Sequence, residues 1–568
     1  MKKNSLTTAV VAGIAGVAGL ANVSNAVNLN PDGLGQVLIY PYYTVNAGNS
    51  TLVSVVNTTE EVKAVKVRFL EALNSREVLD FNLYLSPFDV WTAAVVEGGS
   101  TTGPGRLFTQ DTSCTVPPIP AAGEPFRNFA YTGSFNDDGP DSLDRTRDGH
   151  IEMIEMGVVV DDGDVTGDAF PTPENPANLS GVDNVVEGGG NNQRTFASDA
   201  THINGVPDNC QSLVASWATG AWATNPGIDF DEPTGGLFGA ASIVDVANGT
   251  NLSYNADAID GFFTIANNAS LHTGPGFTFP TLAQAQTTTG EADSIIFNNG
   301  QLITLDFTTG RPDAVSSVFM HDVIYNEYNT ASSTLAASEW VVTFPTKRLH
   351  LETVSAAPSL AARRRPFAND ADDAGDATGT PPGNIGTGET GLFDPTGYCE
   401  PITVAYFDRE EGPEAPAPIV DFSPQPEGED VTLSLCYEAN VVTFNQEAEV
   451  TAGASSVLGA RKTARNINLL QAGGAEVTAG WIAMGLGNNL NFLLDGTAAQ
   501  VTPRNQLFGL PTTGFWAANF VNAAAAPGQL ANYSLLSKHR SSRTALSVLV
   551  TNEGVAGETI TPTGFAAS

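Results

Sequence analysis

From Gln36 to Val96 the chain alternates apolar and polar positions with a period of two. Val37-Leu38-Ile39-Tyr40, Thr51 to Val56, Val62 to Phe69 and Glu77 to Leu85 are rich in Val, Ile, Tyr and Phe. Each is bounded by Gly, Asn, Ser or Pro, so each predicts a strand. In Val65-Lys66-Val67-Arg68-Phe69 the apolar side chains point one way and the bases the other, the pattern of an antiparallel sheet with one solvated face. Asn57-Thr58-Thr59-Glu60 and Asn74-Ser75-Arg76 supply turns. Short strands at this spacing predict a β-sandwich of immunoglobulin-like type.

Further along, Asp137 to Gly190 is crowded with Asp, Gly, Pro and Asn, which favours long loops over a packed core. A short helix is expected within Cys210 to Thr219, where Leu213 and Trp217 fall one turn apart and Gly220 is a stop. Strand character returns at Leu302 to Phe307, Trp340 to Phe344 and Leu349 to Val354. It resumes at Thr403 to Phe407, Val431 to Tyr437, Trp481 to Met484 and Phe515 to Val521. Between these, a basic Arg363-Arg364-Arg365 and an Asp, Gly, Thr and Pro-rich run read as a linker and solvated loop. The expected fold is mainly β, with two or more antiparallel β-sandwich domains and long loops. Its parts are an N-terminal β-sandwich region over 27–135, a loop-rich insertion with a short helix over 136–300, strands completing a sandwich over 301–360, a linker over 361–398 and a C-terminal β domain over 399–568.

The first 26 residues change the compartment. Lys2 and Lys3, an apolar run from Ala9 to Leu20, and Ser24-Asn25-Ala26 form the three regions of a cleavable signal peptide. The apolar run is too short and too rich in Gly and Ala to span a bilayer, and no other stretch reaches that length, so no transmembrane segment is expected in the mature chain. The four cysteines, Cys114, Cys210, Cys399 and Cys436, fit an oxidising compartment. Of the three pairings that four cysteines allow, Cys114 with Cys210 and Cys399 with Cys436 closes each loop within one region. No two have zinc-ligand spacing.

Charge narrows the partners. The 568 residues include 62 acids and 25 bases, and removing the signal takes two lysines, leaving 62 against 23, or −39. Such a surface repels nucleic acid and anionic membranes. Apolar residues make up 42% of the chain, enough for a sizeable core.

One stretch carries metal chemistry. Asp144 to Glu155 places Asp at positions 1 and 5, Gly at 6, an aliphatic at 8 and Glu at 12, the spacing of a calcium-binding loop. Its candidate ligands are Asp144, Thr146, Asp148, His150 and Glu155. Thr146 stands where Asp or Asn is usual, and Ile151 to Val160 reads as a strand where a helix should leave the loop. The competing reading is a hairpin turn at Asp148-Gly149 with Glu152 and Glu155 on the next strand. Two further acidic clusters, Asp161-Asp162-Gly163-Asp164 with Asp168 and Asp370-Asp372-Asp373 with Asp376, break the pattern at position 12. No cofactor other than calcium is indicated. No nucleophile elbow, phosphate loop or zinc-protease helix is present, so no catalytic residue is assigned.

Gly33-Leu34-Gly35-Gln36-Val37-Leu38-Ile39-Tyr40-Pro41-Tyr42-Tyr43, Val65 to Trp91, Ser338 to Lys347, Leu435-Cys436-Tyr437-Glu438 and Leu535 to Arg543 resemble landmarks of a family of uncharacterised exported, cell-surface proteins of Gram-negative bacteria. The resemblance spans most of the mature chain. It implies exposure outside the cytoplasm, at the cell surface, in the medium or in the periplasm, and it carries over no reaction. The function expected is therefore adhesion or scaffolding, as an exported surface or extracellular-matrix protein whose partner is a surface protein or polysaccharide. The alternative is a carbohydrate-binding module or a glycoside hydrolase, which needs two carboxylates brought together by folding. The tryptophans would supply its sugar-stacking surface.

Overall fold

The computed structural model describes residues 26–137, 139–160, 195–263, 270–285, 292–307, 311–351, 366–367, 399–409, 433–445, 454–471, 474–488, 491–496, 504–522, 531–551 and 559–564. The signal segment before residue 26, both acidic clusters, the arginine triplet and nearly all of the linker lie outside them.

The chain is mainly β, as the alternation requires. Sheet I has eight strands. Seven follow the order Asn28–Leu29, Asp257–Asp260, Val37–Thr44, Asp148–Val159, Val62–Glu71, Glu77–Leu85 and Cys114–Val116, and Phe230–Asp231 pairs with the far end of Asp148–Val159. Sheet II has six strands in the order Thr250–Asn255, Leu237–Asp245, Ser50–Asn57, Val90–Glu97, Gly105–Phe108 and Glu124–Pro125. The two stack through Tyr40, Val67, Phe69 and Met153 on one side and Val53, Val55, Trp91 and Ile243 on the other. Nearly every contact is between alternate positions, so the period of two is a direct record of this packing.

A second sandwich follows. Sheet III has the order Ala464–Ile467, Ala439–Phe444, Ala337–Thr343, Thr513–Val521 and Asn532–Lys538, and sheet IV the order Ser434–Leu435, Glu400–Asp408, Ala479–Leu486, Val323–Asn329 and Arg540–Ser542. Trp340, Val342, Phe444 and Trp516 of sheet III meet Ile324, Tyr406, Ile482 and Met484 of sheet IV. The opposite face of sheet III, with Val341, Val441, Phe515 and Ala517, packs into the core between sheets I and II. The middle of sheet III is thus buried on both faces, which explains the unbroken burial of Ala439–Phe444.

The outer face of sheet I is covered too. Val37, Ile39 and Ile154 pack under Val315 and Val318 of the helix Arg311–Phe319 and under the hairpin formed by Ala292–Asn298 and Gln301–Phe307. Ala64, Tyr84 and Met156 pack under Phe196, Leu213 and Trp222. The helix Cys210–Ala218 ends before Gly220 as expected and carries Leu213 into this cluster. Disulfides join Cys114 to Cys210 and Cys399 to Cys436, the two pairs expected.

Several expectations are corrected. Lys66 and Arg68 do not face water: both are buried, and Lys66 Nζ meets Asp80 at 2.6 Å while Arg68 meets Glu152 at 2.6 Å and Glu77 at 2.8 Å. Alternation alone does not separate a wet face from a face of buried ion pairs. Asp137 to Gly190 is not all loop, because Asp148–Val159 is a twelve-residue strand buried throughout, paired to both Val37–Thr44 and Val62–Glu71. The span 136–300 is therefore no insertion: it also supplies Leu237–Asp245 and Thr250–Asn255 to sheet II. Strands Val323–Asn329 and Ala337–Thr343 pair with Ala479–Leu486 and Thr513–Val521, so they belong to the C-terminal sandwich.

Where a strand was expected from Leu349, Lys347–Leu351 forms a helical turn, built from straight-chain helix formers after Pro345. Of the strand expected over Val431 to Tyr437, Val431 and Thr432 lie outside the described residues and Ser434–Leu435 is a strand, with the longer strand Ala439–Phe444 following it. Phe367, within the linker segment, is buried against Phe344.

Candidate functional site

The five residues of the calcium-loop spacing lie on a short helical turn, Leu143–Arg147, and the strand that follows it. Gly149 does not turn the chain. It sits between Tyr43 and Glu71 in neighbouring strands, and a Cβ there would lie 1.9 Å from the Leu70 carbonyl oxygen. The extended backbone separates Asp148 from Glu155 by seven residues, about 23 Å at the usual strand rise. A calcium loop requires its oxygens within about 2.6 Å of one ion. The structure does not bring these side chains together.

Four of the five are hydrogen-bonded locally, and the His150 ring is buried without a hydrogen bond. Asp144 accepts from Lys462 Nζ at 2.9 Å. The Thr146 hydroxyl donates to the Leu143 carbonyl and accepts from the Gly105 amide. Asp148 accepts from the hydroxyls of Tyr42 and Thr463, both at 3.2 Å, and burial pushes its carboxyl up to about 6. His150 is fully buried, 4.0 Å from Glu152, and burial together with Arg68 brings it down to about 3, so the ring is neutral. Glu155 accepts from Lys63 Nζ at 2.7 Å and from the amides of Thr234 and Gly235. Among the described residues no group of three or more His, Cys, Asp or Glu is arranged to hold a metal ion.

What sheet I carries instead is a ladder of charge, most of it buried, along Val62–Glu71. Lys63 with Glu155, Lys66 with Asp80 and Arg68 with Glu152 and Glu77 succeed one another along sheet I. Beyond them Arg145 bridges Glu71 at 2.8 Å and Asp137 at 2.6 Å. Arg147 continues the series with Glu97 and Asn46. In the C-terminal sandwich Glu339 is buried and accepts from the amides of Val457 and Leu458 at 2.7 and 2.9 Å and from the Ser455 hydroxyl.

Three arrangements could carry chemistry. At the seam between the sandwiches a pocket of about 90 Å³ is lined by Asp257, His321, Thr513, Lys538, His539 and Ser541. His539 donates from Nε2 to the Val341 carbonyl and accepts at Nδ1 from Asn326, a neutral ring that burial brings down to about 4. Burial brings His321 down to about 3. The volume is that of about three water molecules, below the roughly 300 Å³ of a small-molecule site. This seam is too small for such a ligand.

The second is Ser316, whose Oγ lies 2.7 Å from His350 Nε2, with Asp313 3.6 Å from His350 Nδ1. The three residue types are those of a nucleophilic triad, and their separations of 3 and 34 residues form no local motif a sequence reader could find. Both Ser316 and His350 are fully buried, and the same hydroxyl contacts the Pro312 carbonyl and Thr346. The arrangement ties one helix to the next.

The third is on the outer face of sheet IV. Trp481, 41% exposed, stacks on Phe407 with ring centroids 4.3 Å apart and has Tyr325 on its other side at 6.4 Å. Glu327 and Phe407 are its cross-strand partners. An aromatic ring beside a carboxylate on a rigid sheet can stack on a sugar and bond its hydroxyls. Composition alone does not separate Trp481 from Trp91, Trp222 and Trp340, which are fully buried.

These features define a class, a protein of two mainly antiparallel sandwiches fused through a shared sheet. Comparison with models of protein families, with curated proteins and with solved structures gives no match.

Proposed function

We propose that this is an exported surface or extracellular-matrix protein that acts by scaffolding or adhesion, and that it belongs with the exported Gram-negative proteins its sequence resembles. The observation that carries the reading is the ladder of ion pairs along Val62–Glu71. Side chains that could have served chemistry are consumed inside a framework that spans both sandwiches. Two disulfides, with all four cysteines paired, suit an oxidising compartment outside the cytoplasm. Among the described residues no helix is long and apolar enough to cross a membrane. The strong negative charge disfavours nucleic acid as a partner.

Deleting the protein tests the role. Loss of cell attachment or aggregation, restored by the wild-type chain, supports scaffolding. Unchanged attachment and aggregation would contradict it.

A second reading, binding of a polysaccharide, is favoured by Trp481 and its neighbours on sheet IV. Retention of the purified chain on an insoluble polysaccharide, lost in Trp481→Ala at unchanged stability, is the outcome that reading requires.

A further inference from the structure

The inner face of sheet II closes the N-terminal core, while its outer face meets solvent. On Ser50–Asn57, Val90–Glu97 and Leu237–Asp245 the alternate outward positions number four each, and Thr250–Asn255 adds three. A surface of ordinary composition would put about four charges on these fifteen positions. They hold none. They read Ser, Leu, Ser, Val on the first strand, Val, Thr, Ala, Val on the second, Phe, Ala, Ser, Val on the third and Asn, Ser, Asn on the fourth. This is the more notable in a chain of net charge −37.

The apolar side chains also line up. Val56 is the register partner of both Val90 and Phe238, and Leu52 is the partner of Ala94 on one side and Ser242 on the other. Leu52 and Val90 are each 47% exposed and Phe238 is 41% exposed. Two hydroxyls on the face, Ser242 and Ser253, satisfy one another at 2.7 Å. Charge depletion around an apolar centre distinguishes the middle of an interface from ordinary surface.

We infer that this face pairs with the same face of a second copy of the chain, sheet on sheet, forming a two-fold symmetric dimer. The occupant follows from charge and area. Two copies of a chain of this net charge repel one another overall, and a face whose outward strand positions carry no charge is where a second copy meets that repulsion least. Four strands of about eight residues span about 19 by 26 Å, or about 500 Å² per copy. Two copies then bury about 1,000 Å², the lower bound for a specific interface. An interface of that size is at the small end of specific ones, so the association is sought at micromolar concentrations and above. A two-fold axis places each apolar row against its equivalent. The inference stands independently of the cellular location proposed above.

Sedimentation velocity on the full purified chain, from about 1 to about 100 μM, tests it. The weight-average sedimentation coefficient should rise from monomer toward dimer. The association should strengthen as sodium chloride is raised and the repulsion between like charges is screened. Leu52→Asp with Phe238→Asp should weaken association at least tenfold at unchanged circular dichroism and melting temperature, and Phe129→Asp, at an exposed site elsewhere, should leave it intact. If the double variant fails to fold, Val90→Lys gives the same readout at the start of its strand. A wild type that stays monomeric at the highest concentration would overturn the inference. So would dimers that the face variants form as readily as the wild type.

Discussion

The guanidinium of Arg68 lies 2.6 Å from the carboxylate of Glu152 and 2.8 Å from that of Glu77, joining three adjacent strands of sheet I on a face that solvent does not reach. The register pairs Arg68 with Glu152 on one side and Asp80 on the other, so the arginine stands among carboxylates wherever its side chain turns. Burial alone would favour its neutral form, and the carboxylates of Glu152 and Glu77 hold the charge in place. Removing the cation strands two buried anions. Arg68→Met should therefore cost about 3–5 kcal/mol in urea unfolding. The triple replacement Arg68→Met, Glu152→Met, Glu77→Gln should recover much of that loss.

Glu438 links the sandwiches, since its amide donates to the Leu73 carbonyl, and burial pushes its carboxyl up to about 8 against the pull of Lys347. Asp148 and Asp229 are likewise raised by burial to about 6. A carboxyl raised in the folded state keeps its proton while the unfolded chain loses it. Its contribution is complete below the unfolded value near 4 and is lost as the pH climbs to the folded value. Stability from these groups should fall from about pH 4 to pH 6 for the aspartates and on to about pH 8 for Glu438. Glu438→Gln should raise the melting temperature at pH 8 and leave it nearly unchanged at pH 4, flattening the slope. Asp137 runs the other way, because its bonds to Arg145 outweigh burial and hold it low, so its contribution is lost only in strong acid.

The disulfides differ in the loops they close, 96 residues for Cys114 to Cys210 and 37 for Cys399 to Cys436. Loop-closure entropy assigns them about 5 and about 4 kcal/mol respectively. Replacing both members of the first pair by serine should lower the urea midpoint more than replacing both of the second. It should also release the helix Cys210–Ala218 to faster hydrogen exchange.

Since Asp144, Asp148 and Glu155 are spread along a turn and a strand and have protein partners, a chelator should leave the melting temperature of the wild type unchanged. A chelator-induced drop, absent in Asp148→Ala with Glu155→Ala, would restore a calcium role for this stretch.

Much of the framework was legible in the residues. Glu77 to Leu85 was bounded without error, and the helix beginning at Cys210 and both cysteine pairs emerged as read. These are local features or short lists of alternatives. Arg68 and Lys66 misled because an outward base and a base paired inside the fold leave the same alternating pattern, and Glu152 lies 84 residues away. Asp148–Val159 was recognised in part as a strand, yet its place in the middle of sheet I depends on partners that precede it by more than 75 residues. The calcium spacing was real as a pattern and empty as geometry, because Gly149 permits a close strand approach at Leu70 in place of a loop turn. The aromatic row on sheet IV joins Tyr325, Phe407 and Trp481 from three separate segments, and no window of sequence contains it.

We propose that the fused sandwiches form a framework displayed outside the cell, and protease shaving of intact cells with a periplasmic protein as internal control tests this most directly. Loss of this chain from the cells while the control survives is the result predicted. Survival of the chain alongside the control, with digestion only after the outer envelope is opened, would contradict surface display.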